Sequence, residues 1–385
     1  MLKKILLYLF MFLILLAPVF TAVNADIYIG AIVAKTGPAS FLGQPEAKTL
    51  TMLEEEINAN GGVKFGDRIE KIKIIIKDSK GDPSAALDIA KQFIEKDKVI
   101  AIIGPSTSGE SLKLKGFCDD NKTIMISLAA AEDIVNPIAP YIFKTPQKDS
   151  DAAKKIFEAM KKKGIKKIGI LSSNTGFGST GKAQLEKIAP EYNIEIEINE
   201  VYDKNSIDLT PVLKKLKNAD IQAIINWSIE PVQGIIAKNM KALEFDIPLF
   251  QSHGFGNLKY VQVAGVKAAE GIIFPGGRLL VCDSLSDNHK EKSLLQEYKS
   301  IYEKRFKEGV CAFGGYAHDA LMLLIKALEK KGFDDKDKIR EGIETMRNFS
   351  GVTGIFNFSK SDHSGIDKKA FELLTVKNGA FEIYK

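Results

Sequence analysis

The stretch that decides the fold is Val99-Ile100-Ala101-Ile102-Ile103-Gly104-Pro105-Ser106-Thr107-Ser108-Gly109-Glu110-Ser111. Its five apolar residues predict a strand buried on both faces, and the Gly-Pro pair ends that strand before a helical pattern begins at Glu110. The free N–H groups at a helix start, together with the hydroxyls of residues 106–108, are suited to bind a carboxylate or a phosphate. The same hydroxyls are typical helix caps, so capping and ligand binding both remain open at this point.

Strand and helix patterns alternate along the rest of the chain. Buried strands are predicted at 27–34, 72–77, 99–103, 123–127, 167–172, 194–202, 223–227 and 248–251, with helical patterns between them. This order predicts an α/β fold in which doubly wound parallel sheets have helices on both faces. The chain is predicted to end in an antiparallel pair, roughly 354–358 and 371–382, with a turn at Asn378-Gly379.

Residues 1–25 have the pattern of a secretory signal. Lys3 and Lys4 precede an apolar run from Ile5 to Phe20, and a small-x-small sequence ends at Ala25. Such a pattern predicts export with cleavage after Ala25, because the apolar run is too short for a membrane span and ends in a cleavage-type sequence. The mature protein is therefore expected in the periplasm.

Composition separates some classes of function from others. The formal net charge is +5 and falls to +3 without Lys3 and Lys4. That excess is too small over this length to favour a nucleic-acid partner. The hydrophobic content of 45% and the chain length are those expected of two domains, each with its own core.

No catalytic or metal site emerges from the sequence. The residues after Ile103 lack the Gly-Lys-Ser/Thr of a P-loop, no Gly-x-Ser-x-Gly elbow is present, and no Gly-x-Gly-x-x-Gly follows the first strand. The segment 174–179 offers only a weak glycine pair. The four His residues show no metal spacing, so neither a metal nor a cofactor is expected. Whether any two of Cys118, Cys282 and Cys311 form a disulfide is left open by their number.

Several short motifs occur in a specific order and spacing. They are Thr36-Gly37-Pro38, Ile57-Asn58-Ala59-Asn60-Gly61-Gly62-Val63, Asp82-Pro83, Ile103-Gly104-Pro105-Ser106-Thr107-Ser108, Met125-Ile126-Ser127, Phe177-Gly178, Ala268-Ala269-Glu270-Gly271 and Tyr316-Ala317. Together they resemble the leucine/isoleucine/valine-binding protein family, the exported solute-binding components of ABC importers. The likeness covers nearly the whole mature chain.

The resemblance implies a type I periplasmic binding protein fold, with two lobes joined by three hinge crossings that close on a ligand. Lobe I is then predicted at 26–144 plus 277–355, and lobe II at 145–276 plus 356–385. The turns at the carboxyl ends of the strands are expected to line the cleft.

The resemblance also implies a ligand site. The family's carboxylate-binding Ser falls on Ser108, and backbone groups of residues 127–130, among them Ser127 and Ala129, complete that half of the site. The family often has a Tyr that lies over the ligand at the position of Leu42. The family's aromatic residue from lobe II is also aromatic here, as Phe177.

Three positions depart from the family pattern. The Thr that helps to hold the ligand's α-ammonium falls on Ala131, the acid that pairs with this ammonium falls on His253, and a lobe II Tyr falls near Ile229. Glu230 is able to replace the lost acid or simply to complement a helix dipole. These losses resemble the branch of the family thought to carry aromatic or other non-amino carboxylates.

Two further residues are candidates for contact with such a ligand. Trp227, the only Trp, ends a strand that faces the predicted cleft, where it would either stack on the ligand or fill the core of its lobe. Arg278 follows a crossing, where it would either meet a carboxylate in a bidentate manner or form a hinge salt bridge.

The sequence therefore predicts an exported, monomeric binding protein, not an enzyme. It is expected to deliver a small carboxylate, apolar or aromatic, to the permease of an ABC importer. A Leu/Ile/Val-type amino-acid binder, a sensory ligand-binding protein and a secreted hydrolase are the alternatives, although the hydrolase needs a nucleophile and base that the sequence does not offer.

Overall fold

A computed structural model describes residues 26–385. The predicted signal sequence at 1–25 lies outside the described residues. Among residues 26–385, no helix is both long enough and apolar enough to cross a membrane.

The described residues form short strands separated by helices. The strands are β1 (Ile27–Val33), β2 (Val63–Phe65), β3 (Arg68–Glu70), β4 (Ile72–Asp78), β5 (Ala101–Ile103), β6 (Ile124–Ser127), β7 (Ile142–Lys144), β8 (Lys167–Ser173), β9 (Glu195–Tyr202), β10 (Ala223–Trp227), β11 (Leu249–Gln251), β12 (Ile273–Gly277), β13 (Phe349–Ser350), β14 (Ile355–Phe356), β15 (Phe371–Lys377) and β16 (Ala380–Ile383). The helices are α1 (Ser40–Ala59), α2 (Pro83–Glu95), α3 (Ser108–Asp120), α4 (Asp149–Lys162), α5 (Gly176–Ile188), α6 (Thr210–Lys217), α7 (Val232–Ala242), α8 (Lys259–Ala264), α9 (Val266–Ala269), α10 (Lys292–Phe306), α11 (Ala312–Lys331) and α12 (Lys336–Glu344).

The first sheet has the strand order β4-β1-β5-β6-β7, and all of its pairs are parallel. Alternate residues of its central strands enter two different hydrophobic cores. On β5, Ala101 and Ile103 belong to one core and Ile102 to the other. Because successive side chains of a strand point to opposite faces, both faces of this sheet are covered. The prediction of a doubly wound parallel sheet is confirmed.

The second sheet has the strand order β16-β15-β12-β11-β10-β8-β9. Strands β8 to β12 are parallel, whereas β15 and β16 are antiparallel additions at the β12 edge. The first sheet uses residues 27–144, and the second uses 167–277 and 371–383. The predicted lobe boundaries are compatible with this division and stay a prediction.

The predicted pairing at the end of the chain is wrong in part. Strand β14 pairs with β13 rather than with the 371–382 segment, and that segment is itself a hairpin folded at Asn378-Gly379. Both turn residues have positive φ (50° and 79°), which an Asn-Gly turn accommodates. The hydrophobic pattern therefore located the strands but not their partners, since pairing depends on contacts distant in sequence.

The helix after β5 begins earlier than its apolar pattern indicated. Thr107 is the N-cap of α3, and its hydroxyl accepts a hydrogen bond from the Glu110 N–H. The Glu110 carboxylate accepts in return from the Thr107 N–H at 3.1 Å, which completes a capping box. Ser108 is thus the first helical residue and not the cap.

Gly181 provides a test of packing between α5 and the second sheet. A Cβ at this position would lie 1.9 Å from Nε1 of the buried Trp227. We expect Gly181→Ala to lower the free energy of unfolding by ~1–3 kcal/mol, because overpacking a dense core costs about that much. Urea unfolding measures this change.

Gly116→Ala is the matched control: that helical glycine has no atom within 4 Å of its would-be Cβ, so the change is expected to be neutral or stabilising. Equal effects of the two changes would contradict the prediction.

Candidate functional site

A cavity lies between the two sheets, at the carboxyl ends of their parallel strands. Its space is about 300 Å³, which is at the lower end of the range of small-molecule sites. Most of its lining is apolar. The lining residues are Leu42, Ser106, Ser108, Leu128, Ala129, Ala130, Pro146, Phe177, Ile229, His253, Gly254, Phe313 and Tyr316.

The start of α3 provides the polar part of the lobe I wall. Ser108 is buried, and its Oγ accepts a long hydrogen bond (3.4 Å) from the Ala131 N–H. A hydroxyl that accepts still carries its own proton, so Ser108 is able to donate to an anion in the cavity. The positive end of the helix dipole acts in the same direction.

Ser106 lines the cavity beside Ser108 and is held by a buried acid. The Ser106 Oγ accepts from the Ala34 N–H at 2.9 Å and is hydrogen bonded to Glu46. Glu46 is fully buried on α1, and burial raises its pKa to about 8, although the Ser106 hydrogen bond acts in the opposite direction. At neutral pH this carboxyl is therefore protonated in most molecules, and it adds little negative charge near the cavity.

The raised pKa of Glu46 predicts a pH dependence of stability. Because the pKa of Glu46 in the folded protein lies above the ordinary value of 4.5, the native state binds this proton more tightly than the unfolded chain. The resulting stabilisation is present below about pH 4.5 and is lost as the pH rises towards 8. We expect Glu46→Gln to match the wild type at pH 5 and to be more stable at pH 8 by on the order of a few kcal/mol. Denaturant unfolding at both pH values measures it, and a difference that does not change with pH would contradict it.

His253 forms the polar part of the lobe II wall. Its ring is packed edge to face against Phe177, Trp227 and Phe371, with centroid distances of 5.5, 5.7 and 5.6 Å. Burial lowers the pKa of His253 to about 3, and the nearby positive charge of Lys144 acts in the same direction. The imidazole is therefore neutral, and its approach to Asp149 (Nε2 to Oδ1, 3.6 Å) is not a salt bridge.

A buried Lys–Asp pair lies behind this wall. The Lys144 Nζ donates to the backbone carbonyls of Ala130, Pro146 and Gln147 at 2.9, 2.8 and 3.2 Å. Burial lowers the pKa of Lys144 and raises that of Asp149, and each charge favours the ionised form of the other. The pair carries no net charge whether the proton sits on the amine or on the acid. Nothing in the sequence pattern had marked Lys144 or Asp149 as part of this region.

The structure brings six of the predicted ligand residues around this one cavity. They are Leu42, Ser108, Ala129, Phe177, Ile229 and His253. Their roles in binding remain predictions.

The other four predicted residues lie outside the cavity wall. The Ser127 hydroxyl is hydrogen bonded to the Ser111 hydroxyl (2.8 Å) and accepts a hydrogen bond from the Ala129 N–H (3.1 Å). Ser127 therefore stabilises the turn that follows β6. Ala131 is fully buried in the lobe I core, and Trp227 is fully buried in the core behind Phe177. Arg278 takes the salt-bridge alternative: its guanidinium binds Glu291 and Glu372, each at 3.0 Å.

Glu230 lines a second pocket, at the mouth of the cleft, rather than the cavity itself. It shares that mouth with Lys80 and Lys204, and burial raises its pKa. The Glu230 carboxylate also accepts a hydrogen bond from the Ile229 N–H (3.2 Å), which is the behaviour of a residue at a helix start. Glu230 is therefore not part of the cavity wall to which position 253 contributes.

Sequence reasoning missed several wall residues, two of which are on α11. Phe313 and Tyr316 close the lobe I side, and the Tyr316 hydroxyl donates to Gln147 beside the first predicted crossing (3.0 Å). The family motif Tyr316-Ala317 is the one sequence signal that points to this part of the cavity wall. Tyr316 is 169 residues beyond Gln147 in the chain, so local pattern alone cannot place its helix at the cavity.

Within residues 26–385, no group of His, Cys, Asp or Glu side chains has the arrangement of a metal site. The three cysteines are buried, and each is a free thiol in the described part of the chain.

The sequence is similar to known binding proteins over most of its length. A sequence profile described as "Periplasmic binding protein" matches residues 26–380. Leu/Ile/Val-binding protein homolog 3 of Brucella melitensis is 22% identical over 365 residues, which cover 93% of this chain and 94% of that protein. Leu/Ile/Val-binding protein BraC3 of Rhizobium johnstonii is 23% identical over 256 residues, or 65% of this chain and 67% of that protein.

The fold is similar to that of several solved structures. An extracellular ligand-binding receptor from Rhodopseudomonas palustris HaA2 has a TM-score of 0.85 at 24% identity, covering 94% of this chain and 100% of that one. A branched-chain amino acid transporter substrate binding protein from Streptococcus pneumoniae, in complex with isoleucine, has a TM-score of 0.82 at 24% identity with the same coverage. At this identity the likeness establishes the fold. With the profile match, it shows that the chain belongs to the periplasmic binding protein family and is a binding protein, not an enzyme.

Proposed function

We propose that this protein is an exported solute-binding component of an ABC importer of the branched-chain amino acid transporter type. It acts in the periplasm as a monomer, traps a small apolar or aromatic carboxylate between its lobes, and presents it to a permease. Relatives named as Leu/Ile/Val-binding proteins, which match over most of this chain, support the importer assignment.

The observation that carries the ligand class is the composition of the cavity wall. Ser108 at the start of α3 is a donor for a carboxylate, and the remaining walls are largely apolar. His253, the polar residue opposite, is neutral, so no charged acid in the wall matches an ammonium group. An uncharged, flat or branched apolar body with one carboxylate suits these walls.

A Leu/Ile/Val-type amino acid is the second candidate. It is favoured by the names of the relatives and by the isoleucine bound in one structural neighbour. The neutral His253 and the net-neutral Lys144–Asp149 pair argue against it, because neither supplies the net negative charge that a buried ammonium requires.

A direct test begins with the purified protein. Small molecules released on denaturation are identified by mass spectrometry, and benzoate is then added to the ligand-free protein in a thermal-shift assay. Ligand at 100 times its Kd stabilises a protein by ~2.7 kcal/mol, a shift of several degrees. A released carboxylate or a shift with benzoate supports the proposal. Release of a non-carboxylate, together with no shift from benzoate, overturns the ligand class.

Closure of the lobes predicts a further effect, at the contact between α3 and α5. A Cβ on Gly176 would lie 2.8 Å from the Cα and from the N of Gly109, so the two helix starts approach each other through glycines. We expect Gly176→Val to hold the lobes apart and to weaken benzoate binding at least about ten-fold, because apparent affinity falls with the closed fraction. Small-angle scattering at saturating benzoate is expected to give a larger radius of gyration than the wild type has.

The matched control for this test is Gly116→Val, on the same α3 helix. Nothing lies within 4 Å of the would-be Cβ of Gly116, so this variant is expected to bind and close normally. If Gly176→Val binds and compacts like the control, the glycine contact is not part of the closed state.

A further inference from the structure

His253 and Asp149 have buried polar atoms without a hydrogen-bond partner among the described residues, as do Glu46 and Trp227 near the cavity. Neither ring nitrogen of His253 has one, and the Oδ1 of Asp149 has none. Asp149 is completely buried at the start of α4, and His253 is almost completely buried in the cavity wall. Buried polar atoms are nearly always paired in native proteins, so these atoms require an explanation.

Their arrangement leaves one nitrogen of His253 for a ligand. Nε2 lies 3.6 Å from the Asp149 Oδ1, just beyond hydrogen-bond length, so a small movement of the ring would pair the two. Nδ1 then remains on a ring that packs edge to face against Phe177, Trp227 and Phe371. Phe177 and Phe371 carry no hydrogen-bonding group in their rings, and the Nε1–H of Trp227 lies against Gly181 and is itself unpaired within the described chain. Nδ1 has no partner elsewhere among residues 26–385.

The chemistry of that free nitrogen depends on the proton of Asp149. If Asp149 is ionised, it accepts from Nε2–H, and Nδ1 becomes an acceptor. If Asp149 is protonated, it donates to Nε2, and Nδ1–H becomes a donor. A hydroxyl group serves both cases, since it donates and accepts and brings no charge into the cavity. A donor-only ammonium serves the first case alone and must also lose its hydration.

We propose that the ligand is a hydroxy-carboxylate: its carboxylate binds at Ser108 on the lobe I wall, and its hydroxyl pairs with His253 on the lobe II wall. This inference rests on the proposed function and refines its substrate class. Asp149 acts as a positioning residue, because it touches His253 and not the ligand. The hydroxyl lies either on the α-carbon or on an aromatic ring, and the experiment distinguishes these two positions.

Calorimetric titration of two matched ligand pairs tests the inference. Phenylacetate against mandelate adds an α-hydroxyl, and benzoate against 4-hydroxybenzoate adds a ring hydroxyl. We expect the hydroxylated member of one pair to bind the wild-type protein about ten-fold more tightly or better, because a site built to hydrogen bond a hydroxyl is left unpaired by the analogue that lacks it. The pair that shows the preference gives the position of the hydroxyl.

Variants assign this preference to His253. His253→Phe keeps an aromatic ring in the wall but removes both nitrogens, so the hydroxylated and plain ligands are expected to bind it equally. His253→Gln, which keeps a polar terminus, is expected to retain part of the preference and covers the case in which the Phe variant fails to fold. Asp149→Asn is expected to reduce the preference without abolishing the binding of the plain carboxylate.

The outcomes separate this inference from the proposed function. If plain and hydroxylated members bind the wild type equally in both pairs, the inference is wrong and the proposed function stands. If the preference for the hydroxylated ligand persists in both His253 variants, another residue binds the hydroxyl and the inference is also wrong. If no carboxylate of either pair binds, the proposed function fails, and this inference fails with it.

Discussion

Replacement of Ser108 by Ala is expected to weaken benzoate binding roughly ten- to a hundred-fold. The lost hydrogen bond is charge-assisted and worth ~1.5–3 kcal/mol, and each 1.4 kcal/mol is a factor of ten in affinity. The structure sharpens this expectation, because the capping of α3 is done by Thr107 and Glu110 and not by Ser108. The Ser108 hydroxyl is therefore not required to start the helix.

Thr107→Ala is the matched control for this experiment, one residue away. It removes the N-cap of α3, so it is expected to lower the free energy of unfolding by about 1 kcal/mol while leaving benzoate affinity nearly unchanged. Calorimetric titration and denaturant unfolding of both variants separate binding from folding. If Ser108→Ala loses stability but keeps its affinity, then Ser108 is a structural residue and the carboxylate binds elsewhere.

Leucine, isoleucine and valine are expected to bind at least about a hundred-fold more weakly than benzoate. Their ammonium group must shed water in a closed cavity, and a buried charge without a partner costs several kcal/mol. His253 is neutral, and the charge of Asp149 is already matched by that of Lys144. Asp149 therefore adds no unmatched negative charge behind the lobe II wall.

A thermal-shift panel of the three amino acids and benzoate, at equal concentrations, checks this second expectation. Benzoate is expected to raise the melting temperature by several degrees and leucine to leave it unchanged. The opposite result would mean that an ammonium site exists. Asp149 would then be its acid, and leucine stabilisation lost in Asp149→Asn would identify it.

At Trp227 and at position 253, the sequence did not determine the role of the residue, and the tertiary structure did. At Trp227 the sequence left stacking and core filling equally open, and the structure places the ring in the core, with Gly181 against its Nε1. At position 253 the family comparison indicated the loss of an acid. It did not indicate that another acid, Asp149, lies buried 3.6 Å from the substituted His. Both outcomes depend on side chains from different elements, which local periodicity does not report.

The sequence by itself determined the alternating α/β plan, the turn after β5 and the family. These follow from local causes: apolar periodicity selects strand or helix, and glycine, proline and capping residues end them. Only the tertiary structure decided the partners of β14 and β15, the placement of α11 at the cavity, and the neutral state of His253. Strand pairing and burial are set by contacts between residues far apart in the chain. A pKa likewise depends on the water and charges that folding removes or brings near, so these properties exist only once the lobes are assembled.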